Sequence, residues 1–237
     1  MVFHISMTMV MLPLYNKRES IENQEGIHLY FSKATTPSDD TLLIQPKILY
    51  YGTPVVLLTT LNEDGSTNIS PISSSWALGE HLVLGIGLGG KAAENLQRCP
   101  ECVINLPDPS MWEQVERLAS TTGQTPVPSE KAAQGFVYQK DKFAISGLTP
   151  HPSQQVQPVR IRECPLQIEA VVEDFRVPDS APFFAIVQTR AVAVHARQDL
   201  VIGDHHIDPR QWSPLIYNFR HYFGLGEPIG KTFRAEV

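Results

Sequence analysis

Residues 85–95, GIGLGGKAAEN, place glycines and a lysine at spacings suited to holding an anion. Gly85-x-Gly87-x-x-Gly90 has the dinucleotide fingerprint, and Gly85 to Lys91 has most of a phosphate loop of the GxxxxGK type. The phosphate loop needs Ser or Thr after its lysine to ligate magnesium, and Ala92 stands there. The dinucleotide reading has a strand, turn, helix and strand over 82–106 in its favour, with Asp108 near the place of an acidic ribose ligand. Against it, the helix is too short for a crossover, and the stretch follows a hairpin. The residues themselves support a simpler chemistry. Gly87, Gly89 and Gly90 let the backbone approach an anion closely, a following helix offers free N–H groups, and Lys91 adds a cation. The alternative is a tight glycine turn that binds nothing.

A second polar run precedes this turn. NISPISSSW, residues 68–76, carries Asn68, Ser70, Ser73, Ser74 and Ser75 around Pro71 and ends on Trp76. So many hydroxyls and amides in an otherwise apolar sheet cost too much to serve packing alone, unless the run is a solvated edge strand. Trp76 would flank a ligand or fill the core, the commoner place for a tryptophan. Other groups offer less. Cys99-Pro-Glu-Cys102 has the spacing of a thiol pair or half a zinc site, but no second pair completes four ligands, and Cys99 falls at a helix end. His205 and His206 are adjacent, so a strand would point them to opposite faces, and a loop turning at Pro209 fits better. There is no GxSxG, no HExxH and no telling carboxylate pair, so neither a catalytic residue nor a metal ligand is assigned.

The elements that position these groups are mostly extended. ILYYGTPVVLLTTLN, Asn62-Glu63-Asp64-Gly65 and residues 66–76 read as strand, hairpin turn and strand; HLVLGIG, ECVINLP, 164–173, 182–195 and 198–202 add further strands. KAAENLQRC makes about two helical turns. Ser110-x-x-Glu113 has the capping-box spacing ahead of MWEQVERLAS, and SPLIYNFRHY reads as a short helix or turn. Strands outnumber helices and hairpin-length turns join the early ones, which favours an antiparallel barrel or sandwich. ATTPSDDT separates an N-terminal arm, residues 1–41, from a main domain over 42–237.

The chain has 237 residues, 42% hydrophobic and 19% charged, with a formal net charge of −6. That balance describes a globular protein and removes the basic surface that non-specific nucleic-acid binding needs. Three cysteines do not make a secreted disulfide framework. The apolar opening lacks a basic n-region and a cleavage site, and no run approaches a membrane span, so the expectation is a cytoplasmic protein without nucleic-acid or membrane partners.

Taken together, PVVLLTTLNEDGSTNISPISSSWAL, LVLGIG with KAAENL and ECVINLP, KFAISGLT with VRIRECPLQIEA, and GDHHIDPRQWSPLIYNFRHYFGLG resemble, in collinear order over about residues 50–230, the flavin reductase-like proteins. The resemblance implies a mainly β fold, the FMN-binding split β-barrel of antiparallel Greek-key type with a few short flanking helices. It also implies a homodimer with one FMN per protomer near the subunit interface. Asn68 to Trp76 would line the flavin ring and ribityl chain, and Gly87 to Asn95 would receive the phosphate. Tyr217, Arg220 and Tyr222 would touch the flavin or the partner subunit. Such proteins commonly carry Thr or Ser where Ala92 and Ala93 stand, and Glu-Cys where Glu169-Ala170 stands. The implied activity is hydride transfer from NADH or NADPH to FMN and onward to a second acceptor, chemistry the cofactor supplies itself. A flavoredoxin-like electron carrier without enzyme activity and a ligand-free interaction domain are the alternatives.

Overall fold

The computed structural model describes residues 41–203 and 205–233; the N-terminal arm expected over 1–41 lies, apart from Thr41, outside them. The chain divides into two units with a boundary between Leu49 and Tyr50, and every helix and strand described here belongs to the unit that continues from Tyr50. Ten strands matter for the site: β1 (Tyr51–Pro54), β2 (Val56–Leu61), β3 (Thr67–Ile72), β4 (Ser75–Leu78), β5 (His81–Gly87), β6 (Glu101–Leu106), β7 (Leu166–Arg176), β8 (Phe184–Ala196), β9 (Ile216–Asn218) and β10 (His221–Phe223). Two helices join them, α1 (Lys91–Arg98) and α2 (Trp112–Ala119).

Seven strands form one antiparallel sheet in the order β3-β2-β6-β7-β8-β5-β4. Its two edges, β3 and β4, are consecutive in the chain and separated only by Ser73 and Ser74. Seven flat strands at about 4.8 Å each would span about 30 Å, whereas that link reaches about 10 Å. The sheet therefore has to curl until its edges nearly meet. Just before β4, the Ser74 carbonyl accepts a 2.7 Å hydrogen bond from the Gly85 amide, one residue beyond the Ser75–Leu84 pair of the β4–β5 hairpin. Gly85 follows from this passage: a Cβ there would lie 2.9 Å from that of Ser74. The fingerprint's first glycine thus serves the close passage of β5 and Ser74.

The strand faces divide the apolar residues. Inside the curl, Val56, Leu58, Leu84, Ile86, Ile104, Ala170 and Val187 pack with Ala92, Ala93 and Leu96 of α1, which plugs the barrel. On the outer face, Leu57 and Ile69 pack with Val115 and Leu118 of α2, with Ile161, and with Leu215 and Tyr217 from the C-terminal segment. β2 is buried on both faces, which explains its nearly unbroken apolar run.

Three expectations are corrected. Ser110 and Glu113 do not cap α2: Asp108 accepts from the Ser110 amide at 2.9 Å and starts a 3-10 turn over Pro109–Met111, so the α-helix begins at Trp112 with no side-chain cap. SPLIYNFRHY is not a helix; it is the β9–β10 hairpin, with Tyr217 opposite Tyr222 and Asn218 opposite His221. Phe219 and Arg220 form its two-residue turn at φ 43° and 71°, the positive-φ geometry of a type I′ turn built without glycine. The strand expected over 198–202 is a 3-10 turn, Gln198–Leu200, leading into Val201–Ile202, which pairs with His206–Ile207.

Candidate functional site

The polar run is the seam of the barrel. Asn68, 1% exposed, donates from Nδ2 to Ser70 Oγ at 3.0 Å. Pro71 is buried opposite Leu57, Ser73 is buried, and Ser74 and Ser75 are half-buried. The Ser74 hydroxyl lies 2.9 Å from that of Tyr50, whose ring meets Tyr217 edge-on at 5.6 Å. Tyr217 in turn meets Tyr222 at 5.9 Å, and the Tyr222 hydroxyl donates to Glu116 at 2.8 Å. Burial, reinforced by that bond, pushes the Tyr222 phenol well above its usual range. The seam and the C-terminal hairpin are thereby one contiguous set. Trp76 is not a core tryptophan: it is 59% exposed on β4. Arg220 is exposed at the hairpin tip.

The glycine turn leads from β5 into α1. Gly90 is the helix N-cap in extended conformation, with no side-chain cap, and its amide returns to the Gly87 carbonyl at 3.1 Å. Gly87 is half-buried and Gly89 stands in open space. First-turn amides are therefore left for an anion. Lys91 is engaged otherwise than expected. Its ammonium lies 2.9 Å from both oxygens of Glu63, on the β2–β3 turn, and 2.7 Å from Glu94. The hydrogen bond from Lys91 is the main cause that brings Glu63 down to about 2. Burial pulls Lys91 downward, but the two carboxylates outweigh it and hold the ammonium above the usual lysine range. Asn95 is also spent internally. It is fully buried and donates to Thr60 at 3.1 Å and Asn62 at 2.9 Å, tying α1 to the hairpin, while its Oδ1 is sealed without a partner. Ala92 and Ala93 face the barrel interior, where they pack.

Two features escaped the sequence reading. The segment after α2 runs between Asn68 and Lys91: a Cβ on Gly123 would lie 2.7 Å from Asn68 Oδ1 and 3.1 Å from Lys91 Cγ. Gln124, next in the chain, has a sealed carboxamide oxygen with no hydrogen-bond partner. The available signal was the polar run TTGQT with glycine at its centre. Lys142, 3% exposed, donates to the Ile69 carbonyl of β3 at 2.8 Å. Burial above all, then the charge of Lys131, brings it down to about 7. No residue pattern around Lys142 announced its burial.

Cys99 ends α1, and Cys99, Cys102 and Cys164 are all free and buried. Burial pushes the Cys102 thiol up to about 12, which leaves it unreactive at neutral pH. Among the described residues, no three His, Cys, Asp or Glu side chains gather into a metal-binding group. None of the described helices is long and apolar enough to cross a membrane.

A flavin would bring a flat ring with hydrogen-bonding edges, a polyol and, in FMN, a phosphate. The ring and polyol fit what is here: seam hydroxyls, the uncapped start of α1, and the orphaned Gln124 oxygen, which calls for a donor. The phosphate meets a corner where Glu63 and Glu94 already occupy Lys91.

Comparison with known proteins agrees. The profile described as a flavin reductase like domain matches residues 48–226. YdfE of Bacillus subtilis (strain 168), described as uncharacterized, is 58% identical over 194 residues, covering 82% of this chain and 94% of its own. Among solved structures, the flavoredoxin of Desulfovibrio vulgaris (Miyazaki F) superposes with a TM-score of 0.65 at 19% identity, covering 85% of this chain and 98% of that one. A structure with a split barrel domain from Shewanella frigidimarina NCIMB 400 gives 0.61 at 20% identity, covering 78% and 87%. At such identities the structural likeness is one of fold: the curled sheet is a split barrel. With the profile covering most of its length, the chain belongs to the flavin reductase-like family.

Proposed function

We propose that this protein is an oxidoreductase that binds FMN along the Asn68–Ser75 seam, takes electrons from NADH or NADPH, and passes them to a second acceptor. One observation carries the reading. The barrel's two edges are joined by hydroxyl-bearing residues, and the seam's Asn68 meets Lys91 of an uncapped helix start across Gly123, next to which Gln124 carries an acceptor oxygen sealed without a donor. A bound flavin would supply the redox chemistry by accepting hydride and releasing electrons. This chain's task is then to present Ser70, Ser73 and Ser74 to the ring and ribityl chain, and to keep water from one face with Tyr217 and Tyr222. Arg220, at the hairpin tip, contacts the flavin or a partner subunit. The protein acts as a cytoplasmic homodimer; Trp76 and Leu78, 59% and 74% exposed on edge strand β4, are apolar surface that a second copy would cover.

The test is to load purified protein with FMN, remove oxygen and add NADH or NADPH. Bleaching of the flavin absorbance at a catalytically useful rate supports the reductase. Uptake of FMN without bleaching supports an electron carrier instead. Failure to take up any flavin overturns the reading.

A further inference from the structure

Glu63 enters the sequence reading only as part of the Asn62–Gly65 turn, yet it is placed against the one cation of the glycine turn. The hairpin that carries it is fastened to α1 at several points. Asn95 reaches Thr60 and Asn62, and Arg98 donates to the Leu61 carbonyl. Asn62 also closes the hairpin by donating from its own amide to Ser66 at 2.8 Å. The backbone that presents Glu63 is therefore held over the start of α1, and Glu94 flanks Lys91 from the helix's own first turn. Asp64, next to Glu63, is paired with Lys140 at 2.7 Å, so that lysine is committed as well. The corner holds one ammonium between two carboxylates, plus about half a positive charge from the helix start. Its sum is negative. A phosphate monoester arriving with a charge of about −1.5 to −2 has to displace Glu63 or share Lys91 with it.

We propose that Glu63 is a specificity-determining residue which competes with a flavin's phosphate for Lys91, so that the site selects flavins by ring and polyol and binds riboflavin about as tightly as FMN. This rests on the flavin reading given above. The two alanines agree with it, because Ala92 and Ala93 turn methyl groups into the barrel and offer no hydroxyl to a phosphate. Recognition is left to the uncharged seam, where Asn68, Ser70 and Ser74 present amide and hydroxyl groups that suit a polyol and a heterocycle.

The experiment measures dissociation constants of riboflavin and FMN by quenching of flavin fluorescence, for the wild-type protein, Glu63→Gln and Lys91→Met. In the wild type the two constants are expected within about threefold of each other. Glu63→Gln removes one of the two carboxylates and is expected to tighten FMN about tenfold at low ionic strength while leaving riboflavin unchanged, the gain fading in 0.5 M salt, a concentration at which the screening length falls to roughly 4 Å. Lys91→Met keeps the aliphatic stem against Gly123 but leaves Glu63 and Glu94 without their cation, and is expected to weaken FMN relative to riboflavin about tenfold at low ionic strength; an unchanged ratio would mean that the corner does not meet the phosphate and overturns the inference. A wild-type preference for FMN of about thirtyfold or more, or a Glu63→Gln variant with an unchanged ratio, overturns the inference and leaves the flavin reading intact. Binding of neither flavin overturns both.

Discussion

Two lysines stand beside β3 in opposite surroundings. Lys91, at the start of α1, has a side chain 11% exposed and sits between the carboxylates of Glu63 and Glu94. Lys142, on the one-turn helix Lys142–Ser146, is 3% exposed and donates to the Ile69 carbonyl, an uncharged acceptor. Desolvation opposes charge at both. At Lys91 two carboxylates outweigh it; at Lys142 a single carbonyl does not. Charge at a site is thus set by the partners of a residue as much as by its type. Neither lysine is a free cation waiting for an anion, which moves the weight of ligand recognition onto the uncharged seam.

The largest consequence concerns pH. With Lys142 brought down to about 7 in the folded protein and at its ordinary value when unfolded, the unfolded chain binds the extra proton between those limits. Stability therefore rises with pH from about 7 to about 10.5, by at most about 5 kcal/mol, and this contribution is flat below 7, where both states carry the proton. Lys142→Met is expected to flatten that window. It should also be less stable than the wild type at pH 10 by about 1–3 kcal/mol, because the Ile69 carbonyl loses its donor in a buried place. Urea denaturation at pH 7, 8.5 and 10 measures both effects. Parallel profiles for wild type and variant would mean that Lys142 is charged after all, and the contrast with Lys91 would disappear.

A smaller effect is expected where the segment after α2 enters the Lys91 corner. Gly123→Ala places a methyl group 2.7 Å from Asn68 Oδ1 and about as close as tolerable to the Lys91 stem, at 3.1 Å. Gly123 is not in the left-handed region, so the cost is steric: about 1–3 kcal/mol of stability, typical of overpacking. Because Asn68 is buried and bonded to Ser70, it has little room to yield, and flavin affinity should fall with stability. Thermal denaturation together with flavin titration checks this. An unchanged affinity would separate the corner from the seam.

Much of this arrangement was legible in the residues, and where it was not, long-range contacts are the cause. The strands from Val56 to Leu106 and helix α1 followed from apolar runs, the Asn62–Gly65 turn and the glycine punctuation, all of which are local. The β9–β10 hairpin was missed because Phe219-Arg220 is not the Asn-Gly or Asp-Gly pair that announces a type I′ turn. The capping box failed because Asp108, two residues before Ser110, captured its amide. Gly85 carried a nucleotide signature but serves the passage of Ser74, 11 residues earlier in sequence and brought beside it by the β4–β5 hairpin. Of the site, the seam's polar character was readable; the partners of Lys91 and Asn95 were not, since Glu63, Thr60 and Asn62 lie about 30 residues away along the chain.

The smallest expected effect is the most discriminating. Lys91→Met breaks two ion pairs, yet Glu63 and Glu94 are about half exposed, so water and salt recover most of what the carboxylates lose. Exposed pairs of this kind are worth about 0–1 kcal/mol each, and the retained stem continues to cover Gly123. The urea midpoint should therefore move by no more than the equivalent of about 1 kcal/mol at pH 7, against the several kcal/mol spanned by the Lys142 window. If Lys91→Met destabilised the protein by about 3 kcal/mol or more, the corner would behave as a buried ion-pair network whose loss strands two carboxylates. Glu63 would then be held for structural reasons, and its competition with a ligand phosphate would be incidental to folding.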